Sequence, residues 1–167
     1  FFSGCAWTSG YILCGGFHYR FARNSEYVQM IPEYMFEKKK IKEMKTALES
    51  RISRLVRQAE GMTPEEKEKY VHEFICSNVT YDKLKKQYSH EIIGPLQQGI
   101  GVCEGIAKTV KILCDRLGLE CLIAISESAP DRGIRYRHAW NLVKLKTHGT
   151  IWMRPLIIPG PVWTEAV

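Results

Sequence analysis

This sequence lacks several motifs that would by themselves indicate a class of protein. None of its six cysteines forms a CxxC pair, so we predict no structural zinc site, no other metal and no cofactor. No apolar run reaches the length of a membrane span, and internal repeats and low-complexity tracts are absent. Phe1 stands where a methionine would begin a chain, so we expect a fragment, with its localisation open between cytoplasmic and exported.

Composition and charge exclude further classes. The chain has 167 residues, 45% of them hydrophobic and 25% charged, which is typical of one globular domain with its own core. A core of that size does not need disulfides, so we expect reduced thiols. The net charge of +6 is spread along the chain, and its one basic run, at 38–40, lies in a predicted helix that also carries glutamates. We therefore expect no nucleic-acid partner and leave the oligomeric state open.

Hydrophobic periodicity predicts both helices and strands. Thr63 and Glu66 form the pattern of a capping box, with Pro64 between them at the first helical position. The predicted elements, in order, are strand-like segments at 17–35, a helix at 36–59, a helix from 64, a short extended piece at 78–82, a polar loop with one helical turn at 83–98, a helix at 103–117, and two antiparallel strands at 119–125 and 134–146.

The segment GIGVCEGIA, at 99–107, is the feature around which these elements are organised. It predicts a glycine loop that runs directly into an amphipathic helix, with Cys103 at the helix N-terminus. Free backbone N–H groups and the positive end of the helix dipole favour a thiolate there, and the glycines allow a substrate chain to approach the sulfur. The alternative is a cysteine buried as a small hydrophobic residue.

A histidine in the segment RHAWN, at 137–141, strengthens the catalytic interpretation. His138 lies on a predicted strand after the cysteine helix, from which an imidazole can reach back and take the thiol proton. The alternative is a hydrogen-bonded core histidine beside Trp140. Cysteine followed by histidine on such elements is typical of a thiol nucleophile with its base.

Together these two segments resemble the transglutaminase-like superfamily, and the upstream segment NVTYD, at 78–82, resembles the strand that precedes the family's cysteine. The likeness covers about residues 65–145. It implies an α+β fold of the papain-like kind, in which N-terminal helices and a cysteine-bearing helix pack on an antiparallel sheet.

The resemblance also implies a Cys-His-Asp triad in which Cys103 attacks an amide carbonyl and His138 activates the thiol. The backbone N–H of Cys103 would belong to the oxyanion hole. Trp140 is expected to pack over the site and Asn141 to serve the hydrogen bonding of its strand. The remaining supporting residues of the motifs are Tyr81, Gly101, Glu104 and Gly105.

The third member of the triad is missing, because no acidic residue occurs between His138 and Glu165. Asp115 and Asp131 lie away from the family position and are interpreted as surface charges. Trp152 and Met153 have one codon each, TGG and ATG, and this DNA contains the aspartate codon GAT in a shifted frame. We therefore interpret 147–167 as an aberrant, frameshifted tail, after an N-terminal fragment at 1–35 and a transglutaminase-like core at 36–146.

Two functions follow from the resemblance. The first is a cysteine acyltransferase or amide hydrolase, including a protease, that acts on protein or peptide substrates. The second is a non-catalytic domain on the same fold that binds peptides or glycans, which the missing aspartate favours. The sequence does not distinguish proteolysis, deamidation and cross-linking.

Overall fold

The computed structural model describes residues 14–23, 26–126, 138–147 and 150–156. As predicted, three helices precede a three-stranded antiparallel sheet along the described chain. A short parallel pair of strands comes between the second and the third of these helices in sequence. The elements are β1 (Cys14–Arg20), β2 (Gln29–Tyr34), α1 (Lys38–Gln58), α2 (Pro64–Asn78), β3 (Thr80–Tyr81), a 3-10 turn (Gln87–His90), a π turn (Gly94–Gln98), β4 (Ile100–Gly101), α3 (Cys103–Arg116), β5 (Cys121–Ser126), β6 (His138–Thr147) and β7 (Thr150–Leu156).

Helices α1 and α2 build one side of the core. Helix α1 buries one apolar face, because its buried residues recur every three, four or seven positions. Helix α2 begins with the predicted capping box: the backbone N–H of Thr63 donates to Glu66 at 2.8 Å, and the backbone N–H of Glu66 donates to the Thr63 hydroxyl at 3.3 Å. The two bonds satisfy donors that the first helical turn leaves without partners.

The central layer is α3 packed on the antiparallel sheet β5–β6–β7. Buried and half-buried residues alternate along β6, which is the pattern of a strand with one face on the core. Val143 and Leu145 lie on the buried face and join Leu113 and Cys114 of α3 in a single hydrophobic cluster. Gly118, with a φ of 76°, follows the end of α3 and lets the chain turn into β5. The α+β architecture is therefore the expected one.

The polar stretch at 83–98 is more ordered than the sequence predicted. The single helical turn was an underestimate, because the 3-10 turn and the π turn both lie in this stretch. Their inner residues, including Ser89, Gly94 and Leu96, are buried. The hydrophobic pattern was too short to reveal them, because turns of four and five residues show no helical periodicity.

The chain beyond Thr147 forms a strand rather than leaving the edge of β6 open. Strand β7 pairs with β6 in antiparallel register, from Thr150 opposite Thr147 to Leu156 opposite Asn141. Residues 150–156 of the segment interpreted as an aberrant tail therefore belong to the sheet. Residues 157–167 of that tail lie outside the described residues, as does Asp131.

Strands β1 and β2 form a separate antiparallel hairpin at the predicted position. Pro32 lies opposite Phe17 in a continuous register, so it does not interrupt the pairing. A two-stranded sheet has only edge strands, where a missing N–H is tolerated. Among the described residues, no helix is long and apolar enough to cross a membrane.

Candidate active site

Cys103 is the first residue of α3, as the sequence predicted. The preceding residue, Val102, is the N-cap and is extended, and its own side chain makes no capping hydrogen bond. The backbone N–H groups of the first turn therefore remain available to a ligand or a neighbouring group. The thiol itself is partly exposed.

Tyr81 is held against Cys103 by the short parallel pair β3–β4. Tyr81 lies opposite Gly101, and the backbone N–H of Asp82 donates to the Gly101 carbonyl at 3.0 Å. This pairing brings the Tyr81 hydroxyl into contact with both the backbone N–H and the thiol of Cys103. The hydroxyl accepts from the N–H and thus takes the place of a helix cap.

The environment of Tyr81 keeps its phenol protonated. Burial raises the pKa of Tyr81, and negative charge on Cys103 raises it further, whereas the hydrogen bond from the Cys103 backbone N–H opposes both. The hydroxyl therefore carries a proton at neutral pH and can donate it to an anion at this position.

Asp82, next to Tyr81, organises the turn beside the N-terminus of α3. Its carboxylate accepts from the backbone N–H groups of Leu84 at 3.0 Å and Lys86 at 2.9 Å, and from the Ser89 hydroxyl. The Ser89 hydroxyl, followed by these N–H groups, lowers the pKa of Asp82. The carbonyl of Ser89 in turn accepts from the backbone N–H of Val102 at 3.1 Å, so this turn is fixed directly to the start of α3.

The two motif glycines serve packing inside the protein. A Cβ at Gly105 would lie 2.1 Å from the Ser89 carbonyl oxygen, and a Cβ at Gly101 would lie 2.8 Å from Pro95 Cγ. Both glycines are buried. The expectation that the loop glycines admit a substrate chain was therefore wrong for Gly101, because the protein itself occupies the space that its missing side chain leaves.

Glu104 belongs to a charged cluster on the first two turns of α3. Lys108, only 7% exposed, donates to Glu91 at 2.7 Å and to Glu104 at 2.8 Å. Nδ1 of His90 lies 3.2 Å from the second oxygen of Glu104. Burial raises the pKa of Glu91, although Lys108 opposes it. Burial acts in the same direction on Glu104, but Lys108 and His90 outweigh it and lower that pKa.

His138 is the first residue of β6. Its backbone N–H donates to the Ser126 hydroxyl of the neighbouring strand at 3.2 Å. The imidazole stacks on Trp140, with 5.9 Å between ring centroids and 10° between ring planes. Burial lowers the pKa of His138, which keeps the imidazole neutral at pH 7. The two rings thus share the half-buried face of the strand.

Asn141 fixes the strand of the histidine to the helix of the cysteine. Its side chain is fully buried and donates to the Ala107 carbonyl at 3.0 Å and to the Cys121 sulfur of the neighbouring strand at 3.5 Å. Further along, Cys114 of α3 contacts Cys121, which pairs with Val143 of β6. Helix and strand therefore run in the same sense, and their first residues, Cys103 and His138, lie at the same end of the layer.

The carboxylate of a triad is not supplied by the neighbouring strand. Strand β7 has the sequence TIWMRPL, which contains no acidic residue. Asp115 forms an ion pair with Lys111 on the same helix and is nearly half exposed, in agreement with a surface charge.

A second thiol near an imidazole was not predicted from the sequence. Cys76 lies on the exposed side of α2, with its sulfur 3.7 Å from Nε2 of His72. The signal was present as a cysteine four residues after a histidine, a spacing that places both on one helix face. Burial raises the pKa of Cys76, however, so the site does not favour a thiolate.

Comparisons with known proteins agree with the architecture. The family model of the transglutaminase-like superfamily matches residues 51–155. The solved crystal structure of a TGase is similar to this chain with a TM-score of 0.50 and 16% sequence identity, over 71% of this chain and 32% of that one. The chain thus spans about a third of that solved protein's length. No curated protein matches.

Proposed function

Because the chain belongs to the transglutaminase-like superfamily, we propose that it is a cysteine acyltransferase or amide hydrolase that uses Cys103 to attack protein or peptide amides. The observation that carries the proposal is the position of Cys103 at the start of α3, with Tyr81 on both its thiol and its N–H. A partly exposed thiol at a helix N-terminus is a suitable nucleophile, because a substrate can reach it and the backbone N–H groups of the first turn lie beside it.

The reaction has two steps. The Cys103 thiolate adds to the amide carbonyl, and the amine leaves with a proton from the imidazolium of His138, which gives a thioester. Water or a second amine then attacks the thioester and restores the thiol. With water the outcome is proteolysis or deamidation, and with an amine it is cross-linking.

The oxyanion of each tetrahedral intermediate would form beside the backbone N–H of Cys103. The Tyr81 hydroxyl now accepts from that N–H, so a substrate oxygen would replace it as the acceptor and receive the phenolic proton as a second hydrogen bond. The raised pKa of Tyr81 supports this role, because a neutral phenol is a donor and a phenolate is not.

His138 is the proposed base. Two observations support this role. The Asn141–Ala107 bond joins β6 to α3, and because the two elements run in the same direction, His138 and Cys103 lie at the same end of the layer. The lowered pKa of the imidazole keeps it able to accept a proton at neutral pH. Stacking on Trp140 limits the rotation of the ring.

A second candidate, a non-catalytic domain that binds peptides or glycans, is favoured by the sequence of β7. That strand offers no carboxylate to orient the imidazole. In a serine protease the loss of the corresponding aspartate function costs about 10⁴ in rate. A domain that only binds would show no turnover at Cys103.

Turnover of p-nitrophenyl acetate distinguishes the two candidates, because its leaving group departs without a proton and so depends least on a complete triad. We expect slow release of p-nitrophenolate by the chain and none above background by Cys103→Ala. Cys76→Ala is the matched control, since it removes the exposed thiol of α2 that also has a histidine beside it. Equal turnover by the chain and Cys103→Ala would contradict the proposal and favour the binding domain.

A further inference from the structure

A second pair of reactive groups lies at the other end of α3, away from Cys103. Cys114, in the last third of the helix, and Cys121, the first residue of β5, have their sulfur atoms in hydrogen-bonding contact. A helix rises about 1.5 Å per residue, so this pair is roughly 16 Å from Cys103 along α3. The proposed acyl transfer does not use it.

The two thiols are not equivalent. Cys114 is fully buried and donates its S–H to the sulfur of Cys121. The buried side-chain amide of Asn141 is a second donor to Cys121, at 3.5 Å. The bond from Cys114, then that from Asn141 and the charge of Lys111, lower the pKa of Cys121, whereas burial and Asp115 oppose them. The hydrogen bond to Cys121, burial and the charges of Asp115 and Glu68 raise the pKa of Cys114.

Cys121 is almost fully buried, with 5% of its surface exposed. It lines an open-mouthed cavity of about 590 Å³ between the end of α3 and the sheet. Lys111 and Lys144 lie on its wall and bring positive charge to the approach, partly offset by their ion pairs with Asp115 and Glu120. A molecule of a few atoms fits in such a space.

We propose that Cys121 and Cys114 form a redox-active dithiol that a hydroperoxide oxidises through this cavity. The Cys121 thiolate attacks the distal peroxide oxygen, the O–O bond breaks, and the alkoxide or hydroxide leaves and takes up a proton, which gives a sulfenic acid at Cys121. The Cys114 thiol then attacks the sulfenic sulfur, the S–O bond breaks, and water leaves. The hydroperoxide is reduced, the two thiols are oxidised, and a disulfide joins α3 to β5.

Peptide mapping after exposure of the reduced full chain to hydrogen peroxide tests this proposal. We expect a disulfide between Cys114 and Cys121 within one molecule, formed at lower peroxide than is needed to oxidise the exposed Cys76. Sulfenic acid should be trapped by dimedone at Cys121 in Cys114→Ser, while Cys121→Ser leaves Cys114 unlabelled. Cys76→Ser is the matched control and should leave the disulfide yield unchanged.

Two results would overturn the proposal. One is a wild-type chain in which Cys76 is oxidised while Cys114 and Cys121 remain reduced. The other is dimedone labelling of Cys114 in Cys121→Ser at the rate seen for Cys121 in the reverse variant. If a serine variant fails to fold, the peptide mapping of the wild-type chain still tests whether the Cys114–Cys121 disulfide forms. It is independent of Cys103, so a failure here leaves the proposed acyl transfer unaffected.

Discussion

At the scale of single residues, the site combines groups that the sequence places far apart. Tyr81 precedes Cys103 by 22 positions, yet its hydroxyl touches the thiol and the backbone N–H of that cysteine. The parallel pair β3–β4 is responsible for this contact, although it is only two residues long. A hydroxyl in that position can stabilise the oxyanion that develops during acyl transfer. Alkylation of the thiol develops no oxyanion, so the hydroxyl should affect the two reactions differently.

Tyr81→Phe should therefore slow acylation of Cys103 by an activated ester about 10²-fold, because one donor to the oxyanion is lost. The rate of alkylation of Cys103 by iodoacetamide should stay within a few-fold of wild type. Tyr70→Phe is the control, since the Tyr70 hydroxyl bonds to Gln58 instead. A Tyr81→Phe variant that acylates at the wild-type rate would exclude the phenol from the oxyanion site.

His138→Ala should slow acylation of Cys103 at neutral pH by about 10², the usual contribution of a general base. Burial lowers the pKa of His138 below 6.5, so the imidazole is a competent base above that lowered value. In the wild type the rate should fall as pH drops through it, and His138→Ala should lose that inflection. A folded variant with an unchanged pH profile would identify His138 as a packing residue beside Trp140.

At the scale of elements, the start of α3 depends on a partly buried charge network. Lys108 is held between Glu91 of the preceding turn and Glu104 of its own helix. The carbonyl of Ser89, which lies in the same turn, accepts from Val102. The network thus connects the segment at 83–98 to the helix that carries the nucleophile.

Lys108→Met should lower the free energy of unfolding by about 3–5 kcal/mol at pH 7, because it leaves Glu91 buried without its partner. The loss should shrink as pH falls, since burial raises the pKa of Glu91 and protonation removes the unpaired charge. Denaturant unfolding at two pH values measures both effects. Lys111→Met, on a more exposed pair of the same helix, should cost about 1 kcal/mol or less.

The effect of Lys108→Met has a second check. Adding Glu91→Gln to Lys108→Met should recover most of the lost stability, because a neutral amide is less costly to bury than a carboxylate. Equal stability of the single and double variants would show that the lysine stem, and not its charge, supports the turn.

At the scale of the whole molecule, the described part of the chain has the layers of its family, but strand β7 carries no carboxylate for a triad. Strand β7 closes the edge of β6, and the family match extends to residue 155, so the missing acid is a matter of side chains and not of a missing strand. The frameshift from about Thr147 remains a hypothesis. It predicts that DNA-level repair of the reading frame would introduce an aspartate on this strand.

The chain with its frame restored at about Thr147 should therefore hydrolyse or transamidate glutamine-containing peptides far faster than the present chain, by up to about 10⁴-fold. Release of ammonia with and without a primary amine acceptor measures the rate and separates deamidation from cross-linking. Equal activity of the two chains would show that neither the frameshift nor a third triad residue is needed here.

Much of this fold could be predicted from the sequence, for local reasons. The capping box of α2 and the periodic faces of α1 and α3 depend on residues close in sequence, so the sequence alone predicts them. The 3-10 and π turns were not, because tertiary contacts such as that between Ser89 and Val102 stabilise them. The bond from Asn141 to Ala107 and the contact of Cys114 with Cys121 join distant residues and have no local signal.

The most direct test of Cys103 as the nucleophile is to locate the acyl group after reaction with a peptide that carries the p-nitrophenyl γ-ester of glutamate. The ester presents the same acyl group as a glutamine side chain, and acid quenching preserves the thioester for peptide mapping by mass spectrometry. We predict one acyl group per chain, on Cys103, which is lost in Cys103→Ala. Acylation of Cys76 or Cys121 in its place, or no thioester at any cysteine, would contradict the assignment of Cys103 as the nucleophile.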